Sequence, residues 1–154
     1  MEVLIRPLKP DDAYISVNWR NDPEVFRYTG NVYSHKITID SEIEWINRVI
    51  NNLNDYRCAI IAGGKYVGNI YLTNICNSQA EYHIFIGDKS FWGKGVAQKA
   101  SRLIIKYGFE NLHLAQINLS VRPQNLSAYN LYLKLGFIET HRDSDFVYMA
   151  LSKQ

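Results

Sequence analysis

The sequence predicts a mixed α/β fold, with a central, mostly antiparallel sheet of about seven strands and about four helices around it. Three observations carry this. Three β-type runs follow one another at 57–62, 65–73 and 79–86, the first two joined by the tight-turn pair Gly63-Gly64. Residues 84–108, IFIGDKSFWGKGVAQKASRLIIKYG, read as a strand, a glycine-bearing loop and an amphipathic helix. Strand–helix–strand units then add parallel pairs to the hairpins.

Taken in order, Val3-Leu4-Ile5 begins the first strand, and Pro7 and Pro10 end it because proline cannot donate to a ladder. Asp11 or Asp12 can cap a first helix with Tyr14, Val17 and Trp19 on its apolar side. The helix runs to about Asn21, and Pro23 stops it. Residues 24–38, EVFRYTGNVYSHKIT, show no clear period and read as an ordered, aromatic-rich loop or short helical turns, of the kind that carries binding. Ser41-x-x-Glu44 is a capping-box signature for a second helix, with Ile43, Ile46, Val49, Ile50 and Leu53 as its apolar stripe.

After the three strands, the third helix places Val96, Ala97, Ala100, Leu103, Ile104 and Tyr107 on one face. Residues 115–121 form a strand with Ile117, Leu119 and Val121 inward. Ser127 caps a fourth helix whose Ala128, Leu131, Tyr132 and Leu135 share a face, and Gly136 ends it. Residues 137–140 and 146–151 are the last strands, around a polar turn. No repeat, low-complexity tract or linker interrupts the chain, so a single domain over residues 1–154 is expected.

The loop after the 79–86 strand suits an anion. The first turn of a helix presents N–H groups without internal partners, at the positive end of the helix dipole. Gly93 and Gly95 remove the Cβ atoms that would hold a phosphate away, and Lys94 adds charge. A P-loop would continue from its lysine to Ser or Thr, and here Lys94 is followed by Gly95 and Gly95 by Val96. A Rossmann fingerprint would need a glycine where Gln98 stands. An ordinary glycine turn before a surface helix remains the plain alternative.

Composition narrows the rest. With 47% hydrophobic and 21% charged residues the chain is globular, and a net charge of +2 gives no case for nucleic acid or membrane as partner. Cys58 and Cys76 form no C-x-x-C pair and read as reduced, buried thiols of a cytoplasmic protein. The start MEVLIRPLKPDDA predicts no signal peptide, and no apolar run reaches membrane-spanning length. His35, His83, His113 and His141 are scattered without ligand spacing, so no metal is expected.

Residues 121–137, VRPQNLSAYNLYLKLGF, resemble the pattern V-x-x-x-N-x-x-A-x-x-L-Y-x-K-x-G-F of the GNAT N-acetyltransferases. Trp92-Gly93-Lys94-Gly95-Val96-Ala97 resembles their Q/R-x-x-G-x-G/A cofactor loop, with Trp in place of Gln or Arg. Together with Ala80-Glu81 and Ile86-Gly87-Asp88-Lys89, the chain is similar to the ribosomal-protein-N-acetyltransferase-like branch. The resemblance implies a GNAT fold whose sheet splays between its fourth and fifth strands, and acetyl-CoA as co-substrate. Phe85, Ile86 and Gly87 would pair with the pantetheine. Trp92, Gly93, Lys94, Gly95, Val96 and Ala97 would cradle the pyrophosphate, and Asn125 would hold the cofactor arm.

The implied reaction is direct acetyl transfer to an amine. Tyr132 matches the family's acid tyrosine, against the alternative of a core tyrosine. Glu81 and His83, two apart on a strand, share a face and are the candidate bases, with His35 a third. Trp19, Arg20 and Asn21, with Tyr28, are candidate substrate contacts, similar to a subgroup acting on nucleotide-linked amino sugars. A core tryptophan and a surface arginine are the plain alternative. Other acceptors are a protein N-terminus, a small polyamine or another small amine; a polyamine site would want clustered carboxylates, and the 24–38 loop has only Glu24. A non-catalytic acyl-CoA-binding module is the alternative of another class. A monomer or homodimer is expected.

Overall fold

The computed structural model describes residues 1–27 and 36–154. Among them the chain forms β1 (Val3–Pro7), α1 (Ala13–Arg20), α2 (Ile39–Ile50), β2 (Tyr56–Ala62), β3 (Lys65–Cys76), β4 (Gln79–Ile86), α3 (Val96–Glu110), β5 (Gln116–Val121), α4 (Leu126–Leu135), β6 (Ile138–Arg142) and β7 (Val147–Ser152). One sheet runs β1-β2-β3-β4-β5-β7-β6. Among the described residues only β4 and β5 are parallel neighbours.

The β2–β3 hairpin turns on Gly63 and Gly64, with φ of 57° and 81°. The β3–β4 hairpin turns on Asn77 and Ser78, also left-handed. The sheet separates two cores. Ile60, Ile70, Leu72, Tyr82, Ile104, Ile117, Tyr132 and Met149 belong to the one that α3 and α4 close. Leu8, Ala13, Trp19, Ile46, Tyr66 and Tyr71 form the other, beneath α1 and α2. Alternation on β4 follows: Ala80, Tyr82, Ile84 and Ile86 join the first core, Phe85 the second.

Several expected details move. Thr38, not Ser41, is the N-cap of α2: the Thr38 hydroxyl accepts from the Ser41 amide, and the Ser41 hydroxyl accepts from the Thr38 amide, each at 3.1 Å. Leu53 then lies past the helix end and is exposed. Asn125, not Ser127, caps α4 by accepting from the Ala128 amide at 3.2 Å. Asp12 stands at the N-cap position of α1 without a side-chain bond to that helix; its carboxylate accepts instead from the Lys9 amide at 2.9 Å and from Arg6 at 2.7 and 2.9 Å. Tyr14 and Leu103 face solvent, while Ser16 and Ser101 are buried. Cys58 is buried, and its environment pushes the thiol pKa up to about 11. Cys76, at the end of β3, is exposed rather than buried.

Candidate active site

The loop between β4 and α3 is pinned at three points. Asp88 pairs with Lys65 at 2.8 Å, and Lys89 with Asp22 at 2.9 Å and Glu24 at 3.0 Å. The Trp92 indole donates to the Ile86 carbonyl at 2.8 Å. The loop therefore enters α3 in one arrangement. Gly93 and Gly95 have φ of 73° and 78°, a region glycine occupies without strain.

A Cβ on either glycine would meet nothing within 4 Å, so the space in front of them is open. Gly95 is the N-cap of α3 and offers no side chain to the helix amides. The N–H groups of Lys94, Gly95, Val96 and Ala97 have no acceptor among the described residues. These unengaged donors, the dipole and Lys94, which stands 5.7 Å from the Phe91 ring centroid, suit a diphosphate.

Next to this cradle the sheet opens. β4 and β5 pair only at Gln79 with Gln116, Ala80 with Ile117, and Glu81 with Asn118. Beyond that rung β4 stays with β3 and β5 stays with β7, leaving a wedge beside Tyr82–Ile86. Gly87 and Ile86 offer less backbone than the sequence suggests. The Gly87 amide donates to the Val67 carbonyl at 2.8 Å, and the Ile86 carbonyl accepts from Trp92. Asn125 commits its Oδ1 to the α4 cap, which leaves its side-chain N–H groups for a ligand.

Tyr132 stands on the α3/α4 side of the wedge, edge-on to Tyr82 at 5.6 Å. Its hydroxyl has no hydrogen-bond partner among the described residues, and burial pushes its pKa up to about 12, so it stays protonated at neutral pH. Glu81 and His83 share the opposite face. Glu81 Oε2 lies 3.8 Å from His83 Nε2, which is 3.1 Å from Thr73 Oγ1. Desolvation lowers the His83 pKa, partly opposed by Glu81, so the imidazole is neutral and able to accept a proton. Tyr132 and the Glu81–His83 pair lie on different faces of the sheet, on either side of the wedge.

The α1 candidates have other partners. Trp19 is buried against Tyr66 and Phe85, with centroids 4.7 and 6.1 Å away. Arg20 lies 3.7 Å from buried Glu42 and 4.5 Å from the Trp45 centroid. Asn21 clasps the Ile37 backbone, accepting from its amide at 2.7 Å and donating to its carbonyl at 2.8 Å. All three are engaged with the scaffold around α1. Tyr28 and His35 lie outside the described residues.

Missed from sequence were Thr73 and Asn74, which meet His83 and Glu81 across the β3–β4 hairpin. Only the strand register brings them together. Among the described residues no cluster of His, Cys, Asp or Glu could hold a metal ion, and no helix is long and apolar enough to cross a membrane.

A splayed sheet with a bare helix N-terminus at its mouth defines an acyl-CoA-dependent transferase. The chain belongs to the GNAT acetyltransferases: the family model described as "Acetyltransferase (GNAT) domain" matches residues 2–138. It is an N-acetyltransferase, and the alternative of a non-catalytic module gives way.

Spermidine N(1)-acetyltransferase of Escherichia coli K12 is 29% identical over 137 residues, which cover 88% of this chain and 72% of that one. The putative ribosomal N-acetyltransferase YdaF of Bacillus subtilis is 30% identical over 108 residues, 69% of this chain and 58% of that one. The crystal structure of spermidine N-acetyltransferase from Vibrio cholerae with CoA and spermine superposes with a TM-score of 0.87 at 25% identity, covering 97% of this chain and 95% of that one.

Proposed function

We propose that the chain transfers acetyl from acetyl-CoA to the primary amine of a small, hydroxyl-rich molecule such as an amino sugar, by direct attack in a ternary complex. The observation that carries the transfer is the parting of β4 and β5 just past the Glu81–Asn118 rung, with Tyr132 on one face and Glu81 and His83 on the other. The amides of Gly93, Lys94, Gly95, Val96 and Ala97 bind the diphosphate, and Asn125 and the Phe85–Gly87 stretch orient the arm. Acetyl-CoA brings the activated thioester. His83 and Glu81 take the proton that the attacking amine must lose. Tyr132 donates a proton to the departing sulfur.

The acceptor reading rests on charge. Glu24 has Lys89, Glu42 has Arg20, Asp55 has Arg57 and Glu139 has Arg142. Glu81 is met instead by Asn74 and His83. Residues 28–35 contain no Asp or Glu. Among the described residues Glu81 is the one carboxylate lining the depression beside it, and a single carboxylate suits one ammonium group better than the several of a polyamine. This open depression, of about 270 Å³, has a lining that includes Asn74, Asn77, Gln79 and Asn118. Such carboxamides pair with hydroxyls as donors and acceptors.

A polyamine acceptor is the second reading, favoured by the similarity to two spermidine acetyltransferases. Thiol release from acetyl-CoA distinguishes them, with free and nucleotide-linked amino sugars, polyamines and a short peptide offered at equal concentration. Fastest release with an amino sugar supports the first reading. Fastest release with spermidine replaces it, and release with no amine removes the transfer chemistry from these residues.

A further inference from the structure

We propose that Asn74 is a positioning residue for the proton-accepting pair, its carboxamide holding the Glu81 carboxylate beside His83 from a backbone that Asp55 fixes. This rests on the reading of Glu81 and His83 as that pair.

Asn74 sits where the β3–β4 register shifts, between Thr73 and Cys76, with φ of 51°. Its amide donates to Asp55 Oδ1 at 3.1 Å, and the next amide, Ile75, donates to the Asn54 carbonyl at 2.8 Å. The Asp55 side chain is 6% exposed and is itself gripped by Arg57, through Nη2 at 3.1 Å and Nε at 3.3 Å. From this anchored position Asn74 Nδ2 donates to Glu81 Oε2 at 3.2 Å. That same oxygen faces His83 Nε2 at 3.8 Å.

Glu81 is half-exposed and has three rotatable bonds, so nothing in its own strand keeps its carboxylate near His83. The Asn74 carboxamide supplies that restraint. The residue type follows from two demands at one position. The left-handed backbone favours Gly, Asn or Asp. Gly would give no donor and Asp would repel Glu81, so Asn alone meets both. The charged groups acting on His83 are Glu81 and Asp55, which raise its pKa, and Arg57, which lowers it.

The test is a double-mutant cycle of Asn74→Gly and Glu81→Gln, with kcat read on whichever amine releases thiol fastest. Gly keeps the backbone, so the fold should persist. Asn74→Gly should lower kcat roughly fivefold with the KM for acetyl-CoA unchanged. In the Glu81→Gln background it should change nothing more. Asn74→Asp should move the acidic limb of the rate profile up by about half a unit to one unit.

A readout that needs no amine is the NMR titration of His83, which should fall in Asn74→Gly as Glu81 is released and rise in Asn74→Asp. Wild-type kcat and an unmoved His83 titration in Asn74→Gly would overturn the proposal, as would an equal loss with Glu81 already replaced. Wild-type rates in both Glu81→Gln and His83→Gln would instead remove the proton-accepting pair itself.

Discussion

A Cβ atom on Gly87 would stand 2.0 Å from Cδ2 of Trp19. The end of β4 and the helix α1 therefore meet ring on backbone, and this contact ties the start of the β4–α3 loop to the second core. Gly87→Ala should force Trp19 or the loop aside. The expected loss is about 3 kcal/mol, at the upper end for overpacking. At about 2–4 °C per kcal/mol for a domain of this size, thermal unfolding would show it plainly. An unchanged midpoint would mean that Trp19 does not sit against this glycine.

Tyr132→Phe separates chemistry from packing. The hydroxyl has no partner among the described residues, while the ring packs on Tyr82 and Phe137. The variant should keep its stability and its affinity for acetyl-CoA, and lose about 10²-fold in kcat if the hydroxyl is the acid. With the tyrosine pKa raised to about 12, its ionisation should leave no descending limb in the rate profile through neutral and mildly alkaline pH. Full activity of the variant would leave Tyr132 as a core residue alone.

Gly95→Asp tests the cradle. The residue sits at φ 78° with open space in front of it, so the change brings mild backbone strain, bulk and a negative charge facing the diphosphate. Calorimetric titration with CoA should show affinity weakened by about tenfold or more, because an unpaired like charge is costly there. Unchanged affinity would move the diphosphate away from the head of α3.

His83 gives a pH dependence with a definite sign. Its pKa is lowered in the native state, mainly by desolvation, from the ordinary 6.5. In the interval between the lowered value and 6.5 the unfolded chain binds more protons. Stability should therefore rise with pH across that interval and fall as pH drops through it. Urea unfolding of wild type and His83→Asn at several pH values would show the difference as a loss of slope in the variant. Parallel curves would mean that His83 titrates normally.

Much of the site was legible as spacing along the chain. Glycines at 93 and 95 before an amphipathic run place bare amides at a helix start whatever the rest of the chain does. Glu81 and His83 share a face because strand side chains alternate. Caps were less legible: Thr38 and Ser41, or Asn125 and Ser127, are equally good polar candidates, and only the observed hydrogen bonds choose. Trp19, Arg20 and Asn21 looked available to a substrate because a helix end in sequence carries no record of what lands on it. Glu42, Tyr66, Phe85 and Ile37 come from other elements and occupy all three.

By itself the sequence determined the elements, their order, the glycine-bearing helix start and the place of Tyr132 on α4, since these depend on local periodicity and on residues that are neighbours in the chain. The tertiary structure alone decided where β4 leaves β5, which face each candidate base occupies, and that Asn74 reaches Glu81. Those depend on strand register, and register is set by how the two cores close on either side of the sheet.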